Sequence, residues 1–252
     1  VKDMSLRIHQ GEKVAFIGKN GAGKSTVAKL LCGIARPQEG VITLSGRDEK
    51  DMSIREIGTM TGYVMQNPNQ MIVKDIIKDE VGLALAVRSE TGEKADAAVA
   101  EALRLCGLYP MRNWPVSAVS YGQKKRVTVA SILATRPQVV ILDEPTAGQD
   151  YRHYTEIMDF LDELNRRLRV TIIFITHDMH LAIEYTDRAI VFADGEKIAD
   201  DSVFRVLSDD AVIEKANLKQ TSLYTLARRL DEEPETFIEH FIACERTAKA
   251  HD

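Results

Sequence analysis

The sequence predicts an α/β fold built around a largely parallel β-sheet. Short apolar segments of strand length alternate with longer segments of helical periodicity, a pattern typical of βαβ units. A glycine-rich turn at residues 18–23 separates a clear strand from a clear helix. Residues 73–134 have helical patterns without a strand between them, so we expect a helical subdomain to be inserted into the α/β unit.

The first part of the chain predicts short strands and one helix. The strands are expected at residues 6–9, 13–17 and 41–44. Gly11 marks a turn between the first two strands, and the helix is expected at residues 25–34. An apolar run at residues 62–65 stops before Pro68, which disfavours helical geometry in the residue that precedes it.

The rest of the chain predicts helices first and then a return of the β pattern. Three helices are expected at residues 75–87, 93–106 and 120–134. Strands at 139–142, 170–175 and 189–192 then alternate with helices at 151–168 and 179–185. Asp194-Gly195 predicts a hairpin turn between residues 189–193 and 196–199. From about residue 202 onward only short helical patterns follow.

Composition excludes several classes of protein. Hydrophobic residues make up 44% and charged residues 28% of the 252 residues, which argues against general disorder. The net charge of -5 gives no global cationic field, so nucleic acid is not expected as a partner. Three scattered cysteines predict neither a disulfide framework nor a zinc site and suit a reducing compartment. We expect neither a membrane-spanning segment nor a secretion signal.

A phosphate-binding loop is predicted directly after the strand at residues 13–17. The sequence Gly18-Lys-Asn-Gly-Ala-Gly23-Lys24-Ser25 fits the pattern G-x-x-x-x-G-K-[ST] between a strand and a helix. Its glycines let backbone N–H groups wrap a phosphate, and the helix N-terminus adds partial positive charge. Lys24 would reach the outer phosphates, and Ser25 would hold a magnesium ion.

Two carboxylates end the buried strand at residues 139–142, where ligands of parallel sheets bind. Asp143 suits a magnesium ion, and Glu144 is placed to activate a water molecule against a γ-phosphate. Taken alone, the pair would be read as an acidic turn after a core strand. The glycine-rich loop in the same chain favours the catalytic interpretation.

These motifs resemble those of the nucleotide-binding domains of ABC ATPases. Val119-Ser120-Tyr121-Gly122-Gln123 is similar to the L-S-G-G-Q signature of that family and lies between the two nucleotide motifs. Gln66 is similar to the Q-loop glutamine, residues 147–150 to the D-loop, and His177 to the switch histidine. The resemblance extends from residue 1 to about residue 205. The basic run at residues 124–126, just after the signature, is interpreted as a solvated helix face.

The resemblance implies a role for each matched residue. Glu144 would be the general base, His177 would contact the γ-phosphate and align the water, and Gln66 would sense magnesium. A lone histidine would more often be structural, but the ordered motifs around His177 favour the catalytic role. The implied nucleotide-binding residues are Gly18, Asn20, Gly21, Ala22, Gly23, Lys24, Ser25 and Thr26, with Ser120, Gly122, Gln123 and Asp150 acting on the nucleotide of a second subunit. The implied magnesium ligands are Ser25, Gln66 and Asp143.

The implied fold is the P-loop NTPase fold of ABC ATPases, an α/β fold. It has a RecA-like parallel sheet core with an antiparallel β part, an inserted helical subdomain and a C-terminal helical extension. We expect the nucleotide-binding core at 1–67 and 136–205, the helical signature subdomain at 68–135 and the extension at 206–252, which would pack on the core or form a subunit contact.

The sequence departs from the family pattern in two places. Tyr121 replaces the first glycine of the signature, and its side chain is expected to point away from ATP. The first strand and the adenine-stacking aromatic residue of the family are expected to be missing. The chain would then be cut short or form one half of a tandem ATPase.

The residues in and around several motifs resemble those of the energy-coupling-factor branch of ABC proteins, which includes cobalt-type and vitamin-type importers. The similar segments are residues 66–70, 77–81, 120–126 and 142–150. Residues 218–227 are similar to the duplicated ATPases of that branch. The resemblance implies an ATP-binding and ATP-hydrolysing subunit that uses Mg²⁺ and powers uptake of a micronutrient: a vitamin, a vitamin precursor or a metal ion. ATP-driven closure of a dimer at the cytoplasmic face of the cell membrane would power this uptake.

The implied partners are a second ABC ATPase domain, a transmembrane scaffold protein and small substrate-binding membrane subunits. The second domain would form a homodimer, a heterodimer or the other half of a tandem protein. The surface that meets the scaffold is expected between Gln66 and about Leu85, where Asp79 and Glu80 could pair with a basic helix or could simply form a solvated face.

Two alternative functions differ in class from an importer subunit. One is an ABC ATPase that acts on nucleic acid or ribosomes, which the acidic charge and the lack of sustained heptads disfavour. The other is a binding module that does not hydrolyse ATP, which Glu144 and His177 argue against.

Overall fold

The computed structural model describes residues 1–147 and 151–249, which form two compact units. The first unit comprises Val1–Ile8, Glu12–Val27 and Ile173–Asp252. The second unit comprises His9–Gly11 and Ala28–Ile172. Asp150 of the predicted site lies outside the described residues.

Strands and helices alternate along most of the described chain. The strands are β1 (Lys13–Ile17), β2 (Thr43–Leu44), β3 (Arg47–Asp48), β4 (Thr61–Val64), β5 (Val139–Asp143), β6 (Thr171–Thr176), β7 (Arg188–Ala193) and β8 (Glu196–Ser202). The α-helices are α1 (Lys24–Leu31), α2 (Ile54–Met60), α3 (Ile77–Val87), α4 (Glu93–Leu105), α5 (Tyr121–Leu133), α6 (Tyr151–Leu168), α7 (Met179–Tyr185), α8 (Val203–Ser208), α9 (Asp210–Lys215), α10 (Ser222–Arg229) and α11 (Pro234–Lys249).

The first unit is built on the strand order β6, β1, β7, β8. β1 and β7 are parallel, and β7 and β8 form an antiparallel hairpin. The predicted hairpin turn is confirmed, since Asp194 and Gly195 have φ values of 50° and 86°. The rings of Phe16 and Phe192 are fully buried between these strands, with centroids 5.0 Å apart.

The C-terminal helices pack on one face of this sheet. The apolar residues that share the core of the first unit include Ala15 and Ile17 of β1, Val191 of β7, Tyr224 of α10 and Ile238 of α11. The helices after residue 202 therefore complete a core that the strands alone would leave exposed.

The second unit joins a parallel strand pair to a helical part. β4 and β5 are parallel, with Thr61 opposite Val139 and Val64 opposite Leu142, so their carboxyl ends meet at one edge. α3 packs against α4 and α5. A Cβ on Gly62 would lie 2.1 Å from Cγ2 of Ile132, so a glycine is needed where α5 crosses β4.

Several predicted elements are confirmed, and some are corrected. α7 has the predicted bounds, and α3, α4, α5 and α6 lie where helices were predicted. The strand predicted at residues 6–9 is wrong, because the carbonyl of Arg7 accepts a hydrogen bond from the Arg188 side chain (2.8 Å) rather than from a neighbouring strand. The strand predicted at 41–44 is reduced to the two residues of β2.

α2 was not predicted, although its sequence carries a start signal. Ser53 and Glu56 form a capping box, in which the Ser53 hydroxyl accepts from the Glu56 amide and the Glu56 carboxylate accepts from the Ser53 amide. Only Ile57 of its seven residues is buried, so the helix has no apolar stripe that a periodic pattern could reveal.

No helix in the described ranges is long and apolar enough to cross a membrane. Cys32 and Cys106 are buried, and Cys244 is exposed. Burial raises the pKa of Cys32 to about 11, so this thiol stays protonated at neutral pH.

Candidate active site

The glycine-rich loop follows β1 in the first unit and begins with a buried glycine. Gly18 has a φ of 150°, and a Cβ at this position would lie 2.2 Å from the carbonyl oxygen of Phe192 on β7. Only a residue without a Cβ lets the chain leave β1 so close to the backbone of β7. Gly21 and Gly23 also have positive φ values of 82° and 106°.

Lys24 ends the loop and starts α1. Its side chain is buried, and its ammonium group donates to the carbonyl of Gly18 and to that of Lys19 (3.1 Å). The amide of Val27 bonds back to the carbonyl of Gly23, which closes the first turn of the helix. A cation, a helix N-terminus and a curved run of backbone amides together suit the oxygens of a phosphate group.

The other loop residues of the predicted site differ in exposure. Asn20, Gly21 and Thr26 are exposed, Ala22 is buried, and Gly23 and Ser25 are partly buried. The hydroxyl of Ser25 is the kind of oxygen ligand that Mg²⁺ accepts.

His177 lies in the first unit, directly after β6, the neighbour of β1. It is exposed, but the residues on both sides of it are held firmly. The Thr176 hydroxyl accepts from the amide of Asp178 (2.9 Å), and the Asp178 carboxylate caps α7 by accepting from the amide of His180 (2.9 Å). The backbone of His177 is therefore fixed between a strand end and a helix cap.

Asp143 and Glu144 lie in the second unit, at the carboxyl end of β5. The hydroxyl of Tyr63 on β4 donates to Oδ2 of Asp143, which fixes one oxygen of this carboxylate. Glu144 has a φ of 46°, in the left-handed region that a glutamate rarely adopts. The Glu144 carbonyl accepts hydrogen bonds from the amide of Ala147 (3.2 Å) and from the ammonium group of Lys125 (2.9 Å).

Lys125 is a buried cation next to these carboxylates. It is 2% exposed, and burial lowers its pKa to about 8, although the nearby Glu144 and Asp143 oppose this shift. The interpretation of residues 124–126 as a solvated face is therefore wrong for Lys125. The sequence did not reveal its contact with Glu144, because a basic residue early in a helix is most often exposed.

The signature residues form the start of α5 in the second unit. Ser120 and Gln123 form a capping box, with Gln123 Oε1 accepting from the Ser120 amide at 2.9 Å and Ser120 Oγ accepting from the Gln123 amide at 3.2 Å. Gly122 is buried beside them. These three residues, with Arg126, line part of a cavity of about 160 Å³.

Gln66 follows β4 and is exposed. Because β4 and β5 are parallel and in register, Gln66 lies at the same sheet edge as Asp143 and Glu144. The Tyr121 hydroxyl donates to the carbonyl of Gln66 (3.2 Å). The second unit therefore brings together the predicted Q-loop glutamine, the two carboxylates and the signature helix, and the first unit holds the glycine-rich loop and His177.

The predicted magnesium ligands supply one hydroxyl, one amide and one carboxylate, all of them oxygen donors of the kind that Mg²⁺ prefers. Among the described residues, no group of three or more His, Cys, Asp and Glu side chains could hold a metal ion.

The comparisons with known proteins agree with these motifs. The family model described as ABC transporter matches residues 1–147, and a second model, described as an AAA domain, matches residues 111–184. A protein of Enterococcus faecalis named as an ABC transporter ATP-binding protein is 54% identical over 98% of this chain, and a Clostridium perfringens protein so named is 54% identical over 99%. The chain spans 44% of the length of each of these two relatives.

Two solved structures share the fold. The cbiO1 protein from Clostridium perfringens, described as part of the ABC transporter complex cbiONQ, is 33% identical with a TM-score of 0.78, covering 90% of this chain and 92% of that one. The ATP-binding cassette MJ0796, in a dimeric post-hydrolysis state bound to ADP and Pi, is 28% identical with a TM-score of 0.68, covering 79% and 88%. The predicted α/β ABC ATPase fold is confirmed, and the chain belongs to the ATP-binding proteins of ABC transporters.

Proposed function

We propose that this chain is the ATP-binding and ATP-hydrolysing part of an ABC importer of the energy-coupling-factor type. The observation that carries the catalytic part is the edge of the second unit, where Glu144 takes up a strained backbone conformation beside Asp143 and Gln66. Backbone strain of this kind persists where the surrounding structure over-determines it, as at catalytic groups.

Binding of ATP begins with the glycine-rich loop. The amides of residues 18–26 and the N-terminus of α1 bind the phosphate oxygens, and Lys24 turns its ammonium group from loop carbonyls to the outer phosphates. Bound Mg²⁺, held by Ser25, Gln66 and Asp143, would neutralise part of the phosphate charge. In a closed dimer, Ser120, Gly122 and Gln123 at the start of α5 contact the γ-phosphate bound by the second domain, together with Asp150.

Hydrolysis requires one proton transfer and one displacement. Glu144 accepts a proton from the attacking water as the water oxygen bonds to the γ-phosphorus, and the bond from that phosphorus to the bridging oxygen breaks to release ADP. The exposed His177 contacts the γ-phosphate and aligns the water, and the fixed backbone on either side of it keeps that alignment.

The transport part of the proposal rests on similarity. The likeness to cbiO1 over 90% of this chain supports a role in a multi-subunit transporter. The two relatives are more than twice as long as the stretch they share with this chain, which supports a second ATPase domain in the same polypeptide as the partner. A transmembrane scaffold protein and small substrate-binding membrane subunits would complete an importer for a vitamin, a vitamin precursor or a metal ion, with this chain on the cytoplasmic face of the membrane.

We propose that the segment after Gln66 forms the surface that meets the scaffold. Asn69 and residues 72–75 line a groove of about 230 Å³ together with residues 116–117 and Lys124, and Val73 in it is 74% exposed. Glu80 is not available to a basic helix, because it is 4% exposed and its carboxylate accepts from the amides of Val73 (2.8 Å) and Lys74 (2.7 Å). Asp79 is exposed and keeps its proposed role as the acidic contact.

Glu144→Gln in the full-length protein tests the catalytic part. Loss of a general base lowers turnover by about 10²-fold or more, whereas ATP binding is retained because the glycine-rich loop is unchanged. Glu90→Gln, an exposed glutamate after α3, serves as the control and leaves turnover unchanged. Wild-type turnover by Glu144→Gln would overturn the assignment of the base.

Affinity purification of the full-length protein from detergent-solubilised membranes tests the transport part. Mass spectrometry should identify a transmembrane scaffold and small hydrophobic subunits, and the small subunits would point to the solute. Recovery of only soluble or nucleic-acid-binding partners would contradict the importer, while the ATP chemistry would stand.

A further inference from the structure

The burial of Lys125 calls for a physical explanation. The side chain is 2% exposed on α5, and its ammonium group donates to the backbone carbonyl of Glu144 at 2.9 Å. Moving a hydrated ammonium group out of water costs free energy, and the bond to the Glu144 carbonyl together with the attraction of the nearby Glu144 and Asp143 carboxylates returns only part of it, since the pKa of Lys125 stays lowered. An apolar side chain would serve packing better, so stability alone does not account for a lysine here.

The atom that Lys125 holds is part of a strained peptide. Glu144 is the residue with a φ of 46°, and its carbonyl also accepts from the amide of Ala147 at 3.2 Å. A left-handed residue returns to an ordinary conformation by rotating the peptide groups on either side of it. Lys125 opposes that rotation, because rotation would turn the Glu144 carbonyl away from the ammonium group.

The same helix also holds the Q-loop. Tyr121 lies four residues before Lys125, on the same side of α5, and its hydroxyl donates to the carbonyl of Gln66 at 3.2 Å. One face of α5 is therefore bonded to the backbones of both Gln66 and Glu144, and the helix begins at the capping box of Ser120 and Gln123.

We propose that Lys125 is a positioning residue for Glu144 and that it links the carboxylate of this site to the signature end of α5. The proposal rests on the proposed function, in which Glu144 is the general base and the start of α5 meets a nucleotide on a second domain. A small movement of α5 on engagement of its first turn shifts Lys125 and, with it, the Glu144 peptide. The two nucleotide sites would then be coupled through α5.

Two substitutions separate the hydrogen bond from the charge. Lys125→Met keeps the length of the side chain and removes the donor, and Lys125→Gln keeps an N–H donor without the charge. Lys94→Met is the matched control, because Lys94 is an exposed lysine on α4 of the same unit. All variants are made in the full-length protein. The residual ATP turnover of Glu144→Gln is the floor, and it is subtracted from the turnover of every variant. This subtraction corrects for ATP hydrolysis at any other site in the protein.

We expect Lys125→Met to lower kcat by about tenfold or more, the loss typical of removing a hydrogen bond from a charged group. Its affinity for a fluorescent ATP analogue should stay within about twofold of wild type, and its midpoint of thermal unfolding should fall by only a few degrees, because the lost attraction to the Glu144 and Asp143 carboxylates is partly offset by removal of a buried charge. Lys125→Gln should lower kcat less than Lys125→Met, because its amide keeps an N–H donor, although this donor lies one bond closer to the backbone than the ammonium group. Lys94→Met should match wild type in all three measurements.

The proposal is overturned if Lys125→Met keeps kcat within about twofold of wild type. It is also overturned if kcat, ATP affinity and the unfolding midpoint fall together, since that pattern marks a purely structural lysine. Should Lys125→Met fail to fold, Lys125→Gln decides: a folded variant whose kcat falls while its ATP affinity stays within about twofold of wild type supports the proposal, and one whose kcat is unchanged or falls together with ATP affinity contradicts it. Normal turnover by Glu144→Gln would refute the proposed function itself, so the two failures are distinguishable.

Discussion

Gly18→Ala is the sharpest test of the way the glycine-rich loop is built. The Cβ of an alanine at this position would lie 2.2 Å from the carbonyl oxygen of Phe192 and 3.3 Å from Cβ of Ala22. The carbonyl belongs to Phe192 of β7, which pairs with Lys197 of β8 and directly follows the residues that pair with β1, so the oxygen cannot move aside without disturbing the sheet. The alanine would also have to adopt a φ of 150°, which L-residues rarely do.

Gly21→Ala separates the two effects, because this variant has the backbone strain of a positive φ but no steric overlap with a neighbouring atom. Gly21 has a φ of 82°, and a Cβ there would meet nothing within 4 Å. Gly21→Ala should therefore cost about 1–2 kcal/mol of the free energy of unfolding, the penalty for a left-handed L-residue. Gly18→Ala should cost about 2–3 kcal/mol more, because overpacking against immobile atoms adds about that much.

Thermal unfolding and ATP binding of the two variants measure the difference. At about 2–4 °C per kcal/mol for a chain of this size, the Gly18→Ala midpoint should lie roughly 4–12 °C below that of Gly21→Ala. ATP binding should be weakened more by Gly18→Ala, because relief of the clash displaces the loop from β1. Equal midpoints for the two variants would refute the argument that close approach to β7 is what requires Gly18.

Three further predictions concern the capping boxes and Tyr121. Ser53→Ala and Ser120→Ala each remove a helix cap and should each lower the free energy of unfolding by about 1 kcal/mol. Only Ser120→Ala should lower ATP turnover. Equal turnover in the two variants would contradict the proposed contact of Ser120 with the nucleotide. The amide and hydroxyl of Ser53, with Arg47, lower the pKa of Glu56 to about 2, so the stability that this box adds is present above pH 4.5 and is lost as pH falls towards 2. The destabilisation by Ser53→Ala, measured from pH 6 to pH 3, should therefore shrink, while that by Ser120→Ala stays constant. Tyr121→Phe should lower turnover by about two- to tenfold with unchanged thermal stability, and turnover within twofold of wild type would contradict the Tyr121 contact.

The fold was predictable wherever a local pattern decides the structure. α7 was predicted with its observed bounds because Asp178 supplies a cap and Thr186 starts an extended segment, both of which are local features. The hairpin at Asp194-Gly195 was predictable because the two positive φ values require those residue types. The strand at residues 6–9 failed because pairing depends on a neighbour, and there the Arg188 side chain occupies the carbonyl of Arg7 instead.

The candidate site was predictable to the extent that its chemistry is written in consecutive residues. The glycine-rich loop and the Asp143-Glu144 pair are contiguous in sequence, and each follows a strand as predicted. The contacts between distant segments could not be predicted: Tyr63 with Asp143 is separated by 80 residues, and Lys125 with Glu144 by 19. Such contacts depend on the register of β4 on β5 and on the packing of α5, which no single segment encodes.

The replacement of glycine by Tyr121 shows why one position of the signature tolerates change. Tyr121 is the first residue of α5, and its side chain is 39% exposed, so a large residue fits there without entering the core. Gly122, one residue later, is buried and lines the cavity beside Ser120. The tyrosine uses its exposed position to reach the carbonyl of Gln66. Tyr121 therefore links the start of α5 to the segment after β4, while Ser120, Gly122 and Gln123 of the signature are retained.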